Sequence, residues 1–157
     1  LLGAGLAFRP DDRWLLVADV RRVFWQNVMK DFSMTFTADN ATANGGFAGQ
    51  VLNATLFQDW SDQTIVQLGA ARQVNARLTL RAGANFTSDP IPAKYLNCLF
   101  PATVEKHLTA GFGWKIDVRS SFDASLTYGF ESEQTNGYGI RITHAQLNTQ
   151  LLYSYRF

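Results

Sequence analysis

His107-Leu108-Thr109-Ala110-Gly111-Phe112-Gly113-Trp114-Lys115-Ile116-Asp117 decides the fold. In an extended chain Leu108, Ala110, Phe112, Trp114 and Ile116 share one face, while Thr109, Gly111, Gly113 and Lys115 share the other. The stretch therefore reads as a strand with one apolar face and one small or polar face. Ser121 to Glu131 repeats it, with Phe122, Ala124, Leu126, Tyr128 and Phe130 opposite Asp123, Ser125, Thr127 and Gly129. Only Asp117-Val118-Arg119-Ser120 lies between the two, a connection of hairpin size.

Working outward, Leu78 to Thr87 alternates in the same way, and Thr64 to Val74 joins it through a tight turn at Asn75-Ala76. Leu2 to Phe8 pairs with a less regular strand from Trp14 to Trp25 through the turn Pro10-Asp11-Asp12-Arg13. The last strand, Thr143 to Phe157, places Leu147, Leu151, Tyr153, Tyr155 and Phe157 on one side; Leu152 breaks its pattern. The connections alternate short and long: short after Arg9, Val74 and Asp117, long between Trp25 and Thr64, between Ser88 and His107, and from about Gln134 to Thr143. Bacterial outer-membrane barrels have short periplasmic turns and longer outer loops, so this alternation is expected of a transmembrane antiparallel up-and-down β-barrel. By the same parity the chain ends on the short-turn side, which predicts a periplasmic C-terminus. About seven strands are an odd number for a bacterial barrel, so the chain is expected to be a fragment. Making Val51 to Gln58 an eighth strand would close a small barrel but spoil the parity.

The composition is compatible with this reading and closes off others. Hydrophobic residues make up 46% of the 157 residues, yet no run of about 18 apolar residues occurs, so any membrane crossing must be by strands. A formal net charge of +1 without a basic block sets nucleic acid aside as a partner. The single cysteine, Cys98, reads as a chance loop residue, and no His or Cys cluster has metal-ligand spacing, so neither a metal nor another cofactor is expected. No signal peptide is visible at Leu1 to Phe8, as expected if an exported protein is represented here by a fragment.

The terminal run Leu151-Leu152-Tyr153-Ser154-Tyr155-Arg156-Phe157 resembles the C-terminal signature of outer-membrane barrels, in which Tyr153, Tyr155 and Phe157 would be read by the barrel-assembly machinery. Further stretches resemble the FadL-type family of outer-membrane transporters. These are Phe8-Arg9-Pro10 with Asp12-Arg13-Trp14, Ala18-Asp19-Val20 with Phe24-Trp25, Asp59-Trp60-Ser61-Asp62-Gln63, Leu68-Gly69-Ala70-Ala71, Leu80-Arg81-Ala82-Gly83, Pro90-Ile91-Pro92, Phe100-Pro101 and His107 through Gly113. Arg72 departs from the family pattern, and its long side chain can snorkel to the interface.

The resemblance implies a fourteen-stranded barrel with an N-terminal plug and a sideways opening, of which residues 1–157 would be the C-terminal half, the plug and first strands being absent. It also implies passive uptake of hydrophobic compounds, long-chain fatty acids or aromatic hydrocarbons, in the Gram-negative outer membrane. The expected partners are such a solute, outer-membrane lipid and lipopolysaccharide, and the full-length protein is expected to be a monomer. Apolar residues of the long loops are the expected cargo contacts: Phe47, Val51, Leu52, Leu56, Phe57, Ile91, Tyr95, Leu96, Leu99 and Phe100, with Lys94 or Lys106 to pair a carboxylate. The same side chains would equally serve to pack the loops on one another. Asp19, Arg21, Arg81, Asn85, Asp123, Glu131, Gln146 and Gln150 are expected to face the lumen. Two other readings compete: a general porin for small polar solutes, and a lipid hydrolase using His107 or His144. No nucleophile motif surrounds either histidine, so no catalytic residue is assigned.

Overall fold

The structure, a computed structural model, describes residues 1–97 and 101–157. Cys98, Leu99 and Phe100 lie outside the described residues. The strands are β1 (Leu2–Phe8), β2 (Trp14–Val23), β3 (Asp31–Thr37), β4 (Val51–Phe57), β5 (Gln63–Gln73), β6 (Leu78–Thr87), β7 (Lys106–Lys115), β8 (Ser120–Thr135) and β9 (Arg141–Tyr155). A seven-stranded sheet runs β1-β2-β5-β6-β7-β8-β9, every pair antiparallel, and β3-β4 forms a separate hairpin. Val51–Phe57 is thus a strand, but it pairs with Asp31–Thr37 inside a long loop and leaves the up-and-down order intact.

Two faces run continuously across all seven strands because the register keeps like beside like. One line of partners reads Phe86, Val66 and Val20; another reads Ala84, Leu108, Tyr128 and Leu147. These apolar side chains are the exposed ones: Leu68 is 49% accessible, Leu108 51% and Leu147 63%. The alternating small and polar residues are the shielded ones, with Thr109 and Gly111 half-buried and Gly113 buried. A sheet in water would show the reverse, since an apolar band this extensive is not left in contact with solvent. The arrangement suits a wall with hydrocarbon outside and a polar interior.

The three short turns are built by one device. Oδ1 of Asp11 accepts hydrogen bonds from the backbone N–H groups of Arg13 and Trp14, at 2.8 and 2.9 Å. Oδ1 of Asn75 does the same for Arg77 and Leu78, and Oδ1 of Asp117 for Arg119 and Ser120. A side chain that bonds backbone two and three residues on fixes a tight reversal, and it sets the pairing register of the strands that follow.

The third long connection departs from expectation. Gln134 to Thr143 is not a loop: β8 extends to Thr135, β9 begins at Arg141, and a five-residue turn joins them around Asn136, whose Oδ1 accepts from the N–H groups of Tyr138 and Ile140. A β-bulge between Gly129 and Ser132 shifts the register in β8, so the alternation read from Ser121 onward changes phase there. At the same end Ile91, Leu96 and Ile142 form a small buried core with Trp60 packed on it.

Candidate functional site

A cleft of about 360 Å³ opens where the three connections at the end opposite the Asx turns meet. It is lined by Leu56, Phe57 and Gln58 from the end of β4, by Lys94, Tyr95 and Leu96 beside the short 3-10 helix Ala93–Tyr95, and by Asn136, Tyr138 and Ile140 of the β8-β9 turn. Gly137 is what allows this approach. A Cβ there would lie 2.8 Å from the Lys94 carbonyl oxygen, and the Gly137 N–H donates to the carbonyl of Ala93. Phe57 and Tyr95 stand with ring centres 6.2 Å apart, and the Lys94 ammonium lies 4.9 Å from the centre of the Tyr95 ring. No carboxylate pairs with Lys94 among the described residues. One cation above aromatic and aliphatic walls suits an amphiphile with an anionic head.

Of the expected cargo contacts, Leu56, Phe57, Lys94, Tyr95 and Leu96 come together here. Ile91 instead belongs to the buried core under the cleft. Leu52 lies on the exposed apolar face of the β3-β4 hairpin, where Phe36 is its register partner, and Val51 pairs with Thr37. Phe47 is 77% accessible in the tip of the same loop. Lys106 starts β7 and lines a separate groove with Glu105, Phe130 and Glu131. Asn136, Tyr138 and Ile140 were missed by sequence reasoning because their segment read as a loose loop. The Asn136-Gly137 pair, a turn signal, was the available clue.

The polar face is organised by glycine. Arg81 on β6 and Asp123 on β8 pair at 2.7 Å across the whole width of β7. They do so above Gly113, where a Cβ would stand 2.6 Å from the Asp123 carboxylate and 3.0 Å from the guanidinium. Farther toward the outer loops, one register line runs Gly5, Asp19, Gln67, Asn85, His107, Gly129 and Gln146. The His107 ring lies between the side-chain amides of Asn85 (3.3 Å) and Gln146 (3.1 Å), the latter reaching over Gly129. Both amides turn their side-chain nitrogen to the ring, Nδ2 of Asn85 toward Nδ1 and Nε2 of Gln146 toward Nε2. Arg21 shares this face beside Gly3. Gln150 lines a hollow of about 340 Å³ with Arg81, Gly83, Gly111, Asp123 and Leu152. Glu131, expected among these residues, is a correction: the bulge sets Phe130 and Glu131 together opposite Ala145, and Glu131 lines the groove with Lys106. Gln67, which completes the polar line, was not among the residues expected to face the lumen.

His144 bonds through Nδ1 to the carbonyl of Pro101. Among the described residues, the hydrogen bonds of both histidine rings run to amide groups and not to a serine hydroxyl.

At the opposite end the apolar face carries aromatic residues. Trp14 and Arg72 are register partners, with the guanidinium 5.3 Å from the indole centre, which gives the departing Arg72 an interfacial place over a ring. Phe122 pairs with Trp114 and Tyr153, and Tyr155 packs edge-on against Phe157.

Residues 2–148 match the model of the outer membrane protein transport protein family (OMPP1/FadL/TodX). The chain belongs to this family. Among solved structures it is similar to the toluene transporter TodX of Pseudomonas putida, with 28% identity and a TM-score of 0.72, over 99% of this chain and 34% of that one. A TodX monoaromatic hydrocarbon channel carrying the deltaS2 mutation gives 26% identity and a TM-score of 0.80, over 99% and 35%. The toluene transporter TbuX of Ralstonia pickettii shares the fold, with 24% identity and a TM-score of 0.73 over 99% and 32%. Comparison with curated protein sequences finds no match. The chain spans about a third of the length of the solved FadL/TodX-type chains it resembles. It is a β-barrel sequence of a family of outer-membrane transport proteins.

Proposed function

We propose that residues 1–157 supply the C-terminal strands and outer loops of a barrel that passes hydrophobic compounds inward without an energy source, and that the loop cleft receives an amphiphile with its carboxylate at Lys94. The observation that carries this reading is the Lys94 ammonium, which has no carboxylate partner among the described residues, at the rim of a cleft walled by Leu56, Phe57, Tyr95 and Ile140. Transfer of an apolar chain from water to such walls is favourable by roughly 25 cal/mol per Å² buried, which is enough to concentrate a dilute solute at the membrane. The remaining strands, a plug and a lateral opening would come from sequence outside these residues. In this reading the cleft faces outward and Phe157 the periplasm, with the glycine-lined polar face toward the lumen.

Binding to the full-length protein in detergent tests the cargo. A long-chain fatty acid is expected to bind at least tenfold more tightly than its methyl ester, and Lys94→Gln to erase that difference. Equal affinity for acid and ester in the parent protein would overturn the carboxylate assignment. The likeness to toluene channels favours a second reading, in which a monoaromatic hydrocarbon occupies the cleft and Lys94 only covers Tyr95. Toluene binding that is lost in Leu56→Asp and untouched in Lys94→Gln would select it.

A further inference from the structure

A second cleft, of about 670 Å³, lies at the far end of the sheet from the outer loops. Four cations line it: Arg77 from the β5-β6 turn, Lys115 at the end of β7, Arg119 from the β7-β8 turn and Arg156 beyond β9. Ser120, Ser121 and Ser154 add hydroxyl groups. Backbone bonds hold the four in two adjacent pairs, since the Lys115 N–H donates to the Arg77 carbonyl at 2.8 Å and the Arg156 N–H to the Arg119 carbonyl at 2.9 Å. The turn device described above fixes Arg77 and Arg119 at the same place in successive turns, two residues after the Asx acceptor.

None of the four is in an ion pair among the described residues, whereas Arg22, Arg81 and Arg141 elsewhere in the sheet all are. The one carboxylate lining the cleft, Asp117, already spends Oδ1 on the N–H groups of Arg119 and Ser120. Like charges gathered without partners repel one another, and an anion between them relieves that cost. Guanidinium forks with hydroxyl donors match the oxygens of a phosphate best.

We propose that this cleft binds a phosphate group, either a free phosphate or the headgroup of an anionic phospholipid. The proposal stands apart from the cargo reading, which concerns the other end of the sheet. Two arms distinguish the sources, both on the full-length protein. Inorganic phosphate is titrated into detergent-solubilised protein by calorimetry, and vesicles of phosphatidylglycerol are compared with vesicles of a phosphate-free diacylglycerol glycoside.

Saturable binding is expected in at least one arm, weakened tenfold or more in Arg77→Gln/Arg119→Gln and unchanged in Arg9→Gln, which lies off the cleft. Saturation by free phosphate assigns the simple anion; saturation by phosphatidylglycerol vesicles alone assigns the headgroup. Should the double variant fail to fold, judged by heat-modifiable migration, Lys115→Gln carries the test with an expected loss of at least threefold. Binding in neither arm, or binding equal in parent and folded variant, overturns the proposal.

Discussion

Arg81 and Asp123 sit on strands that are not hydrogen-bonded to each other, yet their side chains meet at 2.7 Å because the strand between them presents Gly113. The glycine, more than either charge, determines whether the pair exists. Asp123→Asn keeps the space and loses only a half-exposed ion pair, so it is expected to cost less than about 1 kcal/mol. Gly113→Val places atoms where the carboxylate and guanidinium now lie, and it is expected to cost about 1–3 kcal/mol. Urea unfolding of the full-length protein in lipid vesicles ranks the two; a larger loss for Asp123→Asn contradicts the account.

The four tryptophans divide into two environments. Trp14 and Trp114 lie on the apolar face at the short-turn end, while Trp25 and Trp60 pack edge to face at 5.7 Å in the outer loops, their indole N–H groups bonded to Gln63 and Gln58. In single-tryptophan variants reconstituted with brominated lipid, Trp14 and Trp114 fluorescence is expected to be quenched, most by bromine placed near the headgroups. Trp60 fluorescence is expected to be unaffected. Strong quenching of Trp60 would mean that the loop core lies in the bilayer.

Asp117 lies in a turn outside the spanning segments, and its carboxyl is held below the ordinary carboxylate range, chiefly by the hydrogen bond from the Arg119 N–H. A carboxylate whose folded pKa is depressed stabilises the turn at pH values above its unfolded pKa, and that contribution is lost as pH falls through the lower folded value. Asn75 makes the same two bonds without titrating. Amide exchange at Arg119 and Ser120 should therefore accelerate in acid relative to the Arg77 and Leu78 amides, and Asp117→Asn should abolish that difference. An unchanged difference in Asp117→Asn would remove Asp117 as its source.

His107 joins two amides on different strands, so removing it leaves both without that partner. His107→Leu is expected to cost about 1–3 kcal/mol, the penalty of a lost bond together with polar groups left unsatisfied in a shielded place. Gln146→Ala, which removes one contact and leaves the other, is expected to cost less. The same vesicle-unfolding measurement compares them.

The sheet was readable in the sequence because period-two alternation needs no distant partner to be seen. From Leu108 to Trp114 every apolar residue reached the expected face. Reading failed where a strand changes phase: the bulge after Gly129 hid the last turn of β8, carried Glu131 off the polar face and made an ordered β8-β9 turn look like a long loop. The cleft was legible only as a set of loop residues. Leu56, Lys94 and Ile140 are far apart in the chain, and what joins them is the contact of Gly137 with the Lys94 backbone, which no local pattern encodes. The hairpin Asp31–Thr37 with Val51–Phe57 lay between, since one of its strands was visible and its partner was not.

The overshoot of β8 and β9 has a consequence for which molecules the cleft can meet. At 16 and 15 residues these strands exceed the roughly 9–11 that a tilted strand needs to cross a bilayer. A surplus of about five residues, at about 3.3 Å each, lifts the Asn136 turn on the order of 10 Å clear of the hydrocarbon, even with a tilt near 45°. The cleft thus stands on a hydrogen-bonded stalk whose height is set by strand pairing. On the reading proposed above, such a height would let the cleft meet what arrives from the water and not what is already dissolved in the acyl chains.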